Sequence, residues 1–294
     1  MWTNRSPGEI SEELADDGWW ACSDTVRAIL NELGLSVRQA AKDEATCHFA
    51  ARDEQFENIA RLRDQYRRQG WPILSIDTKK KELLGDFFRA GTAYTNGRVR
   101  VLDHDFATHG HGRLVPYGVY DVERNEGFTL LSVGADTSRL ACDAVRGWWR
   151  RLGRRQYEGA EGLLLLCDCG GSNGYRQYVF KEQLHLLAGA LELPIRVAHY
   201  PPGCSKYNPI EHRMFCHVTR ALRGVVLRSL AVARQFIART TTAGGLRVVA
   251  EAARHYYQKG LKASQEFLER LPIRFARKLP ELNYTAYLSP RAKC

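Results

Sequence analysis

No run of eighteen apolar residues occurs in the 294-residue chain, and residues 1–13 lack the basic-then-apolar order of a secretory leader. A soluble, cytoplasmic protein with no membrane partner is therefore expected. Cysteine is sparse: the eight residues at 22, 47, 142, 167, 169, 204, 216 and 294 form no Cys-x-x-Cys pair. That spacing suits neither a disulfide scaffold nor a zinc site, so reduced, partly buried thiols are expected. The Gly-x-x-x-x-Gly-Lys-Ser/Thr phosphate loop is missing, as are internal repeats and low-complexity tracts. What is present is ordinary globular composition, 44% hydrophobic, enough for one large core or two modest ones.

Acidic residues are outnumbered, 33 Asp/Glu against 43 Lys/Arg, and they are unevenly spread. Residues 1–60 hold five Lys/Arg and twelve Asp/Glu, which leaves 38 and 21 for residues 61–294. The larger, basic part implies a polyanion partner, because basic surface gains affinity by releasing counterions from phosphates.

The apolar spacing predicts two short helices at 8–18 and 24–34, a helix-turn-helix outline with Ser23 as cap and Gly34 as stop. Only Arg27 lies on the second helix, so DNA reading and plain helical packing both fit it. A charged connector helix follows at 50–70. Strand patterns then appear at 72–78, 115–122 and 128–134, with an amphipathic helix at 137–152 carrying Trp148 and Trp149. The leucine run at 162–167 is too short for a helix and apolar on both faces, as a central strand requires. A glycine-rich turn (Gly170, Gly171, Ser172, Asn173, Gly174), a helix to 191, a strand at 195–199 and a helix opening at Pro209 complete an α/β order. The remainder, 225–294, reads as basic and mainly helical.

Three acids stand where an α/β sheet would present them. Asp77 lies in an otherwise apolar strand, where an ionised carboxylate needs a metal, a basic partner or water; Lys79, Lys80 and Lys81 follow directly. Asp168 ends the leucine strand, the position at which open α/β sheets hold ligands, and its second reading is a turn or cap residue. Glu211 fits the third helical position after Asn208 and Pro209, so a capping box is its alternative. Together they form an all-oxygen set converging from separate elements, as two-metal phosphoryl transfer needs. His199, Lys206, His212 and Arg213 neighbour the third acid in sequence and suit either phosphate contact or packing. Arg220, Arg223, Arg228, Arg234 and Arg239 suit either a rail for a DNA backbone or a solvated helix face. The histidines at 104, 109 and 111 read as part of a polar loop.

Several stretches resemble one known family: Leu74 to Glu82, His104-Asp105-Phe106, Pro116 to Asp121, Asp168 to Gly174, and His199-Tyr200-Pro201-Pro202-Gly203 through Asn208-Pro209-Ile210-Glu211-His212-Arg213. Thr240-Thr241-Thr242, Gly245-Leu246 and Asn283-Tyr284 fit as well. The family is the Rhodopirellula-type DDE transposases of bacterial insertion sequences, which share the Asn-Pro-Ile-Glu element with mariner-like transposases. Cys169, Cys204, Tyr207 and Leu282 depart from its pattern without removing a carboxylate. The resemblance implies a ribonuclease-H-like α/β fold, a mixed sheet flanked by helices. It assigns residues 1–62 to a helix-turn-helix-like remnant and connector, truncated relative to the family, 63–224 to the catalytic domain and 225–294 to a helical extension. Asp77, Asp168 and Glu211 would be the catalytic acids, holding two Mg²⁺ or Mn²⁺ ions beside the turn at Gly170 to Asn173. Lys79, Lys80, Lys206, His212, Arg213, Arg220 and Arg223 would meet DNA. Cutting and joining of DNA at insertion-sequence ends, association with the nucleoid and a homo-oligomer follow from it. The alternatives are a remnant that binds DNA without chemistry, or a nuclease that cuts without joining.

Overall fold

The computed structural model describes residues 3–39 and 49–288, and the chain divides into two compact units, residues 1–46 and 47–294. The first unit carries α1 (Pro7–Asp16) and α2 (Ser23–Glu32). Ser6 and Glu9 close a capping box around Pro7, and the Ser11 hydroxyl donates to the Ala21 carbonyl at 2.5 Å across the turn. Ser23 is the first helical residue of α2 rather than its cap; Cys22 occupies the cap position, its thiol 3.2 Å from the Thr25 hydroxyl. Arg27, the one basic residue of α2, donates to Asp24 at 2.7 Å, so its charge is engaged within the helix.

The second unit opens with α3 (Arg52–Gln69), ended by Gly70 in the left-handed conformation. Its sheet is built from β1 (Ile73–Thr78), β2 (Glu82–Leu83), β3 (Arg113–Asp121) and β4 (Glu126–Val133), then β5 (Leu163–Cys167) and β6 (Ile195–His199). Between these strands run α4 (Ser138–Trp148), which continues through a π-helical turn into the short α5 (Arg154–Gln156), and α6 (Tyr178–Leu191). After β6 come α7 (Cys216–Ala221), α8 (Leu230–Ala238), β7 (Arg247–Ala252), α9 (Gln265–Arg270), β8 (Ile273–Phe275) and β9 (Asn283–Ala286). The strand order is β7-β4-β3-β1-β5-β6-β9-β8, with β2 beside β3. The antiparallel run β1, β3, β4 followed by the parallel strands β5 and β6 on the other side of β1 is the mixed sheet expected of a ribonuclease-H-like fold.

Alternation within β5 explains its leucines. Leu163, Leu165 and Cys167 enter a core with α4 and α6, whereas Leu164 and Leu166 enter a second core with α3, α7 and α8. All five are fully buried, and each leucine contributes roughly 1.5–3 kcal/mol. Trp148 belongs to the first core and is wholly buried. No helix among the described residues is long and apolar enough to cross a membrane.

The reading of 225–294 as a helical extension needs correction. Its described part supplies three strands to the sheet: β7 pairs parallel to β4, and β9 bridges β6 and β8. The boundary placed at residue 62 also falls inside α3, whose Ile59, Leu62 and Tyr66 pack in the same core as β5. Short strands of three to six residues at the sheet margins carry too few apolar positions to show a period in sequence.

Candidate active site

Asp77 stands near the carboxyl end of β1 and Asp168 directly follows β5, the parallel neighbour of β1. Glu211 opens a π-helical turn (Glu211–Phe215), a widened turn of a kind that recurs at functional sites. The three acids face one another closely enough to act electrostatically. Burial first, then the Asp168 charge, and further the Glu211 carboxylate, push Asp77 up to about 8, against a hydrogen bond from its neighbour Thr78. Burial also raises Asp168, to about 6, while the Gly170 N–H and the Asn173 side chain pull it back. The glycine turn therefore supports Asp168 through the Gly170 backbone.

These residues fit a hard divalent cation. The donor set is all oxygen, Asp168 Oδ1 is buried with no hydrogen-bond partner among the described residues, and the raised acids report negative charge lacking compensation. As positioned they are not a closed cage: among the described residues no three His, Cys, Asp or Glu side chains gather tightly enough to hold an ion.

Contacts between distant segments place each acid. The Asn208 side chain reaches β1, accepting from Ser75 Oγ at 2.5 Å and donating to the Ile76 carbonyl at 3.2 Å. Ser75 Oγ also accepts from the Ile210 N–H at 2.9 Å. The helix bearing Glu211 is thereby fixed against the strand bearing Asp77. The capping-box reading of Glu211 gives way, since the Asn208 N–H donates to the Ser205 carbonyl and its side chain is committed to β1.

His199 is a second placing residue and not a phosphate contact, because it is fully buried. Its Nδ1 lies 2.7 Å from the Asp168 carbonyl oxygen, which can only accept, so Nδ1 carries the proton. Nε2 therefore accepts from the Tyr284 hydroxyl at 3.0 Å. Burial holds the ring down to about 4, so it is neutral at physiological pH. Gln55 of α3 donates to the His199 carbonyl at 2.7 Å and exchanges hydrogen bonds with Asn283, which closes the network. Tyr284→Phe is expected to leave Nε2 unsatisfied and to cost about 1–3 kcal/mol, read as a lower urea midpoint at unchanged slope.

The basic residues divide. Lys79 is 5% exposed and donates to Glu82 at 3.1 Å, and Glu82 also binds Arg89 at 3.0 Å, so the Lys79 charge is engaged with Glu82 and not with Asp77, in the wall of a cleft that Lys80 also lines. Lys81 lies 3.8 Å from Asp136. Lys80 and Arg223 line a cleft of about 570 Å³ together with Glu211 and Arg89, which brings them to the acids. Arg213 does not reach that cleft. It lies over the Tyr120 ring and donates to the Val122 carbonyl at 3.4 Å, towards the other end of β1. His212 Nε2 is turned onto the Lys206 carbonyl, and the Lys206 ammonium sits 5.4 Å from the Tyr207 ring. Arg220 is exposed on α7. The proposed arginine rail is interrupted, because α7 and α8 are separate helices and Arg228 between them binds Asp86 at 2.5 Å.

Asp136 went unnoticed in sequence. It follows β4, accepts from the Thr78 hydroxyl at 3.0 Å and adds to the rise of Asp168. Its position in a loop directly before the Thr137 cap of α4 disguised it as ordinary helix-capping chemistry.

The sheet order, with acids at the ends of its central strands, defines a ribonuclease-H-like protein. The chain matches the family described as the Rhodopirellula transposase DDE domain over residues 1–287, and it belongs to that family. No curated protein matches it. Similar solved structures include a Mos1 transposase paired-end complex with the left transposon end, at 14% identity, covering 79% of this chain and 65% of that one with a TM-score of 0.46. A pre-cleavage Mos1 transpososome is 12% identical over 81% of this chain and 71% of that one, TM-score 0.46. The Mos1 paired-end complex with Mg has the same identity and coverage and a TM-score of 0.47. The chain thus spans just under two thirds of the length of the first of these.

Proposed function

We propose that the protein is a DNA transposase in which Asp77, Asp168 and Glu211 are the catalytic acids and hold two Mg²⁺ or Mn²⁺ ions. What supports this reading is that carboxylates from β1, the end of β5 and the Glu211 turn lie within electrostatic reach of one another, with Asp168 Oδ1 buried and unpaired among the described residues. Divalent ions held by these acids would supply Lewis-acid activation of the attacking oxygen and stabilisation of the leaving one. The chain's own work is placement. The Ser75–Asn208 pair fixes the distance between the strand acid and the helix acid, and His199 with Tyr284 holds the main chain at Asp168. Lys80 and Arg223 give the neighbouring cleft the charge to receive phosphates. Water would be the nucleophile for cleavage and the freed 3′-hydroxyl the nucleophile for joining, without a covalent protein–DNA intermediate.

The test is incubation with duplex DNA carrying the terminal sequences of the element that encodes the protein, in Mg²⁺ and in EDTA. Cleaved ends and strand-transfer products are both expected in Mg²⁺ alone. Cleavage without joined product would instead mark a nuclease, and binding without any product a DNA-binding remnant.

A further inference from the structure

The segment after Asp77 separates two clefts. Lys80 lines the cleft of about 570 Å³ beside Glu211, whereas its neighbour Lys81 lines another, of about 440 Å³, beside the turn at Gly171 and Ser172. Glu211 thus lies in the wall of one cleft and the turn after Asp168 in the wall of the other. The second cleft presents Arg139 and Lys259 as exposed cations. Gln177 and Gln183 add amides, and the Ser172 hydroxyl in its wall is buried with no hydrogen-bond partner. Its one carboxylate at the floor, Asp136, is balanced by the Thr78 hydroxyl and by Lys81. Among the described residues Arg139 has a loose pair, 3.8 Å from Asp143, which a phosphate can displace.

We propose that this second cleft is a nucleotide subsite, into which the DNA strand adjoining the scissile phosphate runs. The inference rests on the reading of the acids as a DNA-cutting centre. Arg139 and Lys259 meet phosphates, which carries affinity. Gln177 and Gln183 meet base edges, because an amide offers a donor and an acceptor together, as an adenine edge does. The cleft wall mixes these polar groups with Val179 and Leu261 and, among the described residues, carries no aromatic side chain, so recognition there proceeds by hydrogen bonding and not by aromatic stacking.

Two variants of the full chain test it, each first shown to melt at the wild-type temperature. Binding of a labelled random-sequence 40-base-pair duplex is followed by anisotropy across a salt series. Arg139→Ala/Lys259→Ala is expected to weaken binding about tenfold and to flatten the slope of log K against log salt by roughly 1.8, about 0.9 for each lost phosphate contact. In parallel, a duplex library randomised around the cut is cleaved in Mg²⁺ and its products sequenced. Gln177→Ala/Gln183→Ala is expected to relax the base preference on one side of the cut by on the order of tenfold. Unchanged salt slope and unchanged preference, with wild-type protein that binds and cuts, overturn the subsite and leave the catalytic reading intact. Wild-type protein that neither binds nor cuts overturns both.

Discussion

Asp168→Asn is expected to lower metal-dependent cleavage by at least about 10³-fold, equivalent to some 4 kcal/mol of transition-state stabilisation, while raising the melting temperature of the metal-free protein. The first effect follows from removing an anionic ligand without changing shape. The second follows from the environment: burial and the nearby acids hold Asp168 at about 6, above its ordinary value, so folding works against its charge at neutral pH. An amide keeps the Gly170 contact and loses the uncompensated charge. Activity assayed in Mg²⁺ and thermal melting in EDTA read the two halves separately. Undiminished cleavage would remove Asp168 from the chemistry, and a lower melting temperature would mean that it is a structural turn residue.

The same electrostatics fix a pH dependence. Asp77 and Asp168 lose their protons near 4 in the unfolded chain but only near 8 and near 6 in the folded one. Over that window the folded state binds more protons, so stability declines as pH rises from about 4 to about 8. Urea midpoints in EDTA are expected to fall from pH 5 to pH 8, with the decline reduced when Mg²⁺ is added. A midpoint that rises over this range would show that the acids are compensated within the protein.

Much of this was readable from residue order, and the exceptions share a cause. The leucine strand declared itself because a parallel central strand is apolar on both faces, and Asp168 at its end inherited a position where α/β sheets bind ligands. Strand β9 did not declare itself, although all four of its residues are buried, because Asn283 and Thr285 look like surface residues until their partners are known. Asn283 meets Gln55 across 228 positions and Arg196 reaches Thr285 across 89. The placing contacts were hidden in the same way: Ser75 meets Asn208 across 133 positions, and Thr78 meets Asp136 across 58. Local pattern registers the residues that carry charge at strand ends. It does not register neutral polar residues whose whole role is to meet another segment, and the lysines after Asp77 misled because a run of like residues hid three different fates.

Gly118→Ala is expected to disable the site by adding one methyl group. Gly118 lies directly opposite Asp77 in the β1–β3 register, and a Cβ there would sit 2.5 Å from Phe215 and 2.8 Å from Ile210. Both neighbours are buried and flank Glu211 on the π-helical turn, so neither can yield without moving that acid. Overpacking of this kind costs typically about 1–3 kcal/mol, and a displacement on the order of 1 Å at a reacting group costs about 10²-fold in rate. The variant should therefore melt lower and cleave about a hundredfold more slowly, even though no charged or ligating residue has changed. Phe215→Leu in the same chain removes ring atoms from the point of collision and should restore part of the cleavage rate. Recovery of stability without recovery of rate would mean that relieving this collision does not restore the position of Glu211, and full activity in Gly118→Ala alone would show that the methyl is accommodated without moving that acid.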